Sequence, residues 1–139
     1  MRSWLLDTGP LVAYLDRGDP AHREVAARLD GFAGELVTTS AVITEAMHFV
    51  APNPRGASLL AEFAVASRLT IFDFTQPDLL REAASLMEKY SDTPMDFADA
   101  TLLLLAEQIQ VLEILTLDRR GFTIFRTREK KALAQILDR

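Results

Sequence analysis

Along the chain, short apolar runs closed by turn residues alternate with longer stretches in which apolar residues recur every third or fourth position. The first pattern suits strands covered on both faces, the second helices that bury one side. Strands are predicted at Trp4-Leu5-Leu6, Leu36 to Thr39, Leu69 to Phe74, Ile114 to Leu117 and, last, Phe122 to Phe125. Between them, helices are predicted over Pro10 to Arg17, from Asp19-Pro20 along His22, Val25, Leu29 and Phe32, and after a Ser40 cap. The helix after Ser40 turns Val42, Ile43, Ala46, Phe49 and Val50 inward. Leu59, Leu60, Phe63 and Ala64 mark another. Thr75 with Asp78 resembles a capping box that opens a helix through Tyr90. Leu102 to Leu105 point all round a helix, which must therefore be buried on every side. The tail after Arg126 is open between a helix and a short edge strand. This alternation predicts an α/β fold with a central parallel sheet and helices on both sides.

A chain of 139 residues suits one domain, taken as 1–139 with a basic tail over 126–139. An apolar share of 49% with interspersed charge describes a chain that packs a core. No cysteine is present, which removes thiolate chemistry and disulfides. Met1 leads directly into the first strand and no apolar run is long enough to span a bilayer. The expectation is therefore no secretory signal, no membrane, and the cytoplasm. The net charge of −5 hides an uneven spread: residues 1–117 hold 8 Lys/Arg against 17 Asp/Glu, and residues 118–139 hold 7 against 3. An acidic body with a basic end suits carboxylates gathered at a cation site and basic residues against an anionic polymer; until an acidic cluster is shown, an ordinary solvated surface with a charged terminus is the plainer account.

Particular carboxylates change the picture more than the total. Asp7 closes the first strand, where ligand crevices form in open α/β sheets, although an Asp before Gly-Pro also simply supports a turn. Ile114 to Asp118 repeats the theme, so parallel neighbouring strands would bring Asp7 and Asp118 to one sheet edge. Glu45 lies at the margin of a buried helix face, where a carboxylate needs a partner, a raised pKa or a metal; pairing with an Arg is the plain alternative. Asp96 and Asp99 enter the first turns of the all-apolar helix. With Thr93 as cap, Asp96 takes the N3 place of a capping box, whereas Asp99 has no such duty if the helix begins at Pro94. His22, on an apolar stripe, is read as a packing residue.

The order of strand-Asp7-Thr8, helix-borne Glu45, the segment Met95-Asp96-Phe97-Ala98-Asp99-Ala100-Thr101 and the strand Ile114-Leu115-Thr116-Leu117-Asp118 resembles the PIN-domain ribonucleases, in particular VapC toxins. The resemblance runs from residue 3 to about 125, and the tail departs from the shorter ending expected. It implies a three-layer α/β/α sandwich around a mainly parallel sheet of about five strands. It also implies an RNA-cleaving site dependent on Mg²⁺ or Mn²⁺, a VapB-like antitoxin partner and a homodimer. The family's four acids fall on Asp7, Glu45, Asp99 and Asp118, with Asp96 an extra acid.

Mg²⁺ and Mn²⁺ prefer oxygen ligands and keep several waters, so a few carboxylates around a cavity form a suitable set. Asp7 and Asp99 are expected as direct or water-mediated ligands. Glu45 and Asp118 are expected at a second ion or orienting the attacking water, and Thr8 and Thr116 as hydrogen-bonding supports. Arg119, Arg120, Arg126, Arg128, Lys130 and Lys131 are candidates for phosphate contact. The Asp7-Thr8-Gly9 triplet also occurs in aspartic proteases, which are β-rich, unlike this chain. A haloacid-type hydrolase would want a second Asp where Gly9 stands. The rival of another class is a silent PIN-like module that binds RNA or protein without cutting.

Overall fold

The computed structural model describes residues 1–139. Five parallel strands form one sheet: β1 (Ser3–Leu6), β2 (Glu35–Thr39), β3 (Thr70–Phe72), β4 (Glu113–Leu115) and β5 (Ala134–Gln135), in the order β3-β2-β1-β4-β5. Seven helices connect or follow them: α1 (Thr8–Leu15), α2 (His22–Asp30), α3 (Ser40–Val50), α4 (Gly56–Ala66), α5 (Pro77–Lys89), α6 (Phe97–Ile109) and α7 (Arg119–Ile124). This is the α/β architecture expected. No helix is long and apolar enough to cross a membrane.

Alternation along the strands divides the interior in two. Leu5, Val37 and Ile114 pack on one face with α6, while Trp4, Leu6, Leu36 and Leu115 pack on the other with Leu11 of α1 and Ala46 of α3. Leu102, Leu103 and Leu105 of α6 are fully buried, as their all-round apolarity requires, and truncating one to Ala costs about 2–5 kcal/mol. Two buried threonines pin α6 to the end of β2. Thr101 Oγ1 donates to the Ala98 carbonyl at 2.7 Å, so the proton shared at 2.8 Å between Thr39 and Thr101 belongs to Thr39. Thr39 Oγ1 in turn accepts from Val42 N at 3.4 Å.

Several local expectations are corrected. The predicted strand over Phe122 to Phe125 is helix α7: the Asp118 side chain accepts from Gly121 N at 3.0 Å and starts a turn that buries Phe122 and leaves Ile124 exposed. The last strand lies in the tail instead, as β5 beside β4, followed by a single 3₁₀ turn over Ile136–Asp138. Thr39, not Ser40, caps α3. The Thr75 hydroxyl donates to Asp73, so the helix expected to open on its box starts at Pro77 with no side-chain cap. Asp19 accepts from Ala21 N, but α2 begins only at His22, whose Nδ1 meets the Ala13 carbonyl at 2.8 Å. Phe49, expected inward, is 57% exposed.

Candidate active site

In a sheet of this order the chain leaves β1 to one side through β2 and β3, then returns to the other side at β4. The crevice at the carboxyl ends of β1 and β4 is therefore the topological switch point. The register sets Leu6 against Leu115, so Asp7 and Thr116 emerge side by side, and Asp7 N donates to the Leu115 carbonyl at 3.1 Å. Thr116 is completely buried and serves both acids. Its Oγ1 donates to Asp7 Oδ2 at 2.7 Å and accepts from Asp118 N at 3.0 Å. Asp7 Oδ1 accepts from Thr8 N at 2.8 Å, which caps α1. Two strand ends and two helix starts are thus joined through one hydroxyl.

Across the crevice, α6 brings Asp96 and Asp99, and here the sequence-based reading of the caps is overturned. The helix starts at Phe97, Asp96 is its cap and Asp99 holds the N3 place. Asp99 N donates to Asp96 Oδ1 at 2.8 Å and Asp96 N donates to Asp99 Oδ2 at 3.2 Å. Asp99 therefore has the N3 duty that the sequence pattern suggests for Asp96. That duty engages only one oxygen of each carboxylate, and Asp99 is still 8% exposed with no cation beside it. Glu45, half-buried on α3, reaches the same place.

One open cavity of about 440 Å³ gathers Asp7, Glu45, Asp96, Asp99 and Asp118, and also Asp19 from the turn after α1. All four acids of the predicted set are brought together, with Asp96 among them. Asp118 stands at the exposed margin, its Oδ1 occupied by Gly121 N. Asp19 was missed because its cap-like setting before Pro20 gave a sufficient local explanation. Phe49 was missed as a cavity residue because its helical spacing matched the inward face; it stands on the rim, one turn after Glu45.

The electrostatics follow from this crowding. Burial pushes the Asp7 carboxyl up to about 6, the hydrogen bonds from Thr116 and Thr8 oppose that, and the charges of Asp96 and Glu45 add to it. Burial, then the charges of Asp7 and Asp96, push Asp99 up to about 8. Glu45 is raised by burial and by Asp96, against a lowering influence of the Thr8 hydroxyl. That hydroxyl faces Glu45 without closing a hydrogen bond of normal geometry, and Thr8 Oγ1 is buried without a partner.

The basic candidates are placed differently. Arg119 pairs with Glu24 and Asp138, each at 3.2 Å. Arg126 Nη1 donates to the carbonyls of Thr123 and Phe125. Arg128 pairs with Glu107 at 2.8 Å and Glu82 at 3.2 Å, clasping the tail to α5 and α6. Arg120, Lys130 and Lys131 are exposed, and the side chain of each is without a protein partner.

Residues 4–129 match the PIN-domain family. The chain belongs to that family. A relative within it is ribonuclease VapC26 of Mycobacterium tuberculosis, 32% identical over 126 residues that cover 88% of this chain and 91% of that one. The fold of this PIN domain is shared with the sarcin-ricin loop cleaving toxin VapC20 of Mycobacterium tuberculosis. That likeness has a TM-score of 0.75 at 17% identity, covering 84% and 91% of the two chains. VapBC2 of Rickettsia felis, solved with a DNA fragment from its promoter, gives a TM-score of 0.60 at 15% identity, covering 96% of each chain.

The hard-oxygen donor set of this PIN domain fits a divalent cation. Asp7, Asp99 and Glu45 are desolvated and crowd one another with no Lys or Arg beside them, and the Thr8 oxygen is left over in the same place. No three Asp, Glu or His side chains are closed about a single point. An ion of the Mg²⁺ type keeps several of its waters and needs only one or two direct carboxylates, so an open arrangement is compatible with it.

Proposed function

We propose that this PIN domain is a divalent-metal-dependent ribonuclease, the toxin of a pair whose partner is an antitoxin protein. The observation that carries the chemistry is the cavity lined by Asp7, Glu45, Asp99 and Asp118, with buried carboxyls held above their ordinary range and no cation beside them. Relationship to a VapC ribonuclease supports RNA as the substrate, and likeness to toxin–antitoxin assemblies supports the partner. Every ionisable residue in the lining is an acid, which speaks against the silent binding module, because a site that only held RNA would gain nothing from repelling its phosphates.

Asp7 and Asp99 would hold Mg²⁺ or Mn²⁺, with Asp96 beside them and Glu45 and Asp118 on either side. The ion would supply a lowered pKa for a water and charge stabilisation at the phosphate. Thr116 fixes the orientation of Asp7 through the 2.7 Å hydrogen bond, and its acceptance from Asp118 N sets the turn that carries Asp118. Glu45, half-buried and raised in pKa, is suited to orient the attacking water and take its proton at a carboxylate oxygen. Among the arginines expected at phosphate, Arg120 is the one whose guanidinium has no protein partner, which leaves it available to a neighbouring phosphate. The homodimer and the cytoplasmic setting belong to the same reading.

The test is incubation of the purified protein with structured RNA, with Mn²⁺ or with EDTA, beside Asp7→Asn. Cleavage is expected with Mn²⁺ alone, and not in the variant. Cleavage that survives EDTA, or that Asp7→Asn leaves undiminished, would overturn the assignment.

A further inference from the structure

A second cavity of about 530 Å³ adjoins the acidic one and shares Glu45 and Asp96 with it. Its remaining wall includes Ser40, Thr44, His48, Thr75 and Phe97. It has the size and make-up of a small-molecule site, apolar surface with a few polar groups. No Lys or Arg lines it, and the shared wall is anionic, so a phosphate is repelled. What fits beside a scissile phosphate is the uncharged part of the neighbouring nucleotide, whose base can lie against Phe97 and the His48 imidazole.

The hydroxyls have fixed polarity. Ser40 Oγ donates to Asp73 Oδ1 at 2.8 Å, and Thr75 Oγ1 donates to the same carboxylate at 2.9 Å. Thr44 Oγ1 donates to the Ser40 carbonyl at 2.9 Å. Each hydroxyl has one proton and has already committed it, so Ser40, Thr44 and Thr75 retain only lone pairs for a ligand. The set accepts and does not donate. Asp73, which joins the ends of β2 and β3, is the positioning residue that imposes this on Ser40 and Thr75.

We infer that this cavity is a base-reading subsite of the proposed ribonuclease, and that its three acceptor hydroxyls select a nucleobase with an exocyclic amino group, cytosine over uracil. The inference rests on the ribonuclease reading and adds a specificity to it. An acceptor facing the uracil carbonyl at the 4 position would be left unpaired and repelled, whereas the cytosine amino group supplies the missing proton.

The test uses a stem-loop RNA library with a randomised loop, cut in the presence of Mn²⁺ by the wild type, Thr44→Val and Asp73→Asn, with ends mapped by sequencing. One position adjoining the cut is expected to favour cytosine over uracil by roughly tenfold in the wild type, falling to about twofold in either variant. A substrate carrying at that position a cytosine analogue that lacks the amino group should be cut as slowly as the uridine one, a comparison that leaves the protein unaltered. Cleavage abolished by Asp7→Asn but indifferent to the flanking base would sink the subsite and leave the ribonuclease standing. A preference that both variants retain would do the same, because its source would then lie outside these hydroxyls. Absence of metal-dependent cleavage by the wild type would overturn both readings.

Discussion

The two ends of the sheet treat their carboxylates in opposite ways. At the amino end, Glu113 opens β4 between Arg2 at 2.7 Å and Arg139, and the hydrogen bond from Arg2 leads the effects that bring its carboxyl down to about 2. At the carboxyl end, Asp7 and Asp99 have hydrogen bonds but no cation, and burial takes them up to about 6 and about 8. The first arrangement is complete in itself. The second is destabilising as it stands, since desolvated like charges are retained only where something else compensates them. The contrast separates a carboxylate paired within the protein from carboxylates that no protein cation pairs.

Breaking the acidic end should have the largest effect. Asp7→Asn is expected to lower kcat on a cleaved RNA by roughly a thousandfold while leaving the fold intact, as removal of an interaction made in the transition state does. Melting the metal-free variant checks the other side: it should be as stable as the wild type at neutral pH or more so, because the buried negative charge is gone.

Next comes the pH response of the metal-free wild type. A carboxyl whose folded pKa is raised binds its proton more tightly in the folded state. Its contribution is therefore full below the ordinary value of 3.8 and is lost as pH rises through about 6 for Asp7 and about 8 for Asp99. Thermal melts in EDTA should fall between pH 5 and pH 8, and Mn²⁺ at a hundredfold excess over its dissociation constant should restore about 2.7 kcal/mol. Stability that is flat or rising over that interval would count against unpaired acids.

Smaller effects test the supports. A Cβ on Gly121 would lie 2.3 Å from Asp118 Oδ2. Gly121→Ala should therefore displace that carboxylate and cost roughly tenfold in kcat, a loss of about 1.4 kcal/mol in the transition state. Thr116→Val, which deletes the link between Asp7 and Asp118, should lower kcat by a similar factor and move the rising limb of the pH profile upward. Least of all, Glu113→Gln at the paired end should cost no more than about 1 kcal/mol of stability and leave cleavage unchanged. Its pKa is lowered, so the lost contribution is the one present above 4.5 and fading as pH falls toward about 2.

The difference between the two ends also explains what could be read from the chain alone. Asp7 and Asp118 were legible because each ends an apolar run, and a parallel sheet sends such ends to one edge. Glu45 was legible as a polar residue at the margin of a helix face. Caps were harder: Thr93, Asp96 and Asp99 all suit a helix start, and which of them cap is decided by where the backbone turns. Phe122 to Phe125 read as a strand because apolar crowding over four residues fits either period, and the arbiter was the hydrogen bond from Gly121 N to Asp118. The pairing of Arg119 with Glu24 and Asp138, which occupies a guanidinium expected to face phosphate, depends on separations in sequence that no local pattern records.

The most direct test of the claim that the carboxyl end awaits a cation is calorimetric titration of Mn²⁺ into the EDTA-stripped protein at pH 7, in two buffers of different ionisation enthalpy. Binding should release protons, because Asp99 with a pKa of about 8 is largely protonated beforehand, and Asp99→Asn should remove that release. Absence of saturable binding, or heats that Asp7→Asn and Asp99→Asn leave unchanged, would contradict it.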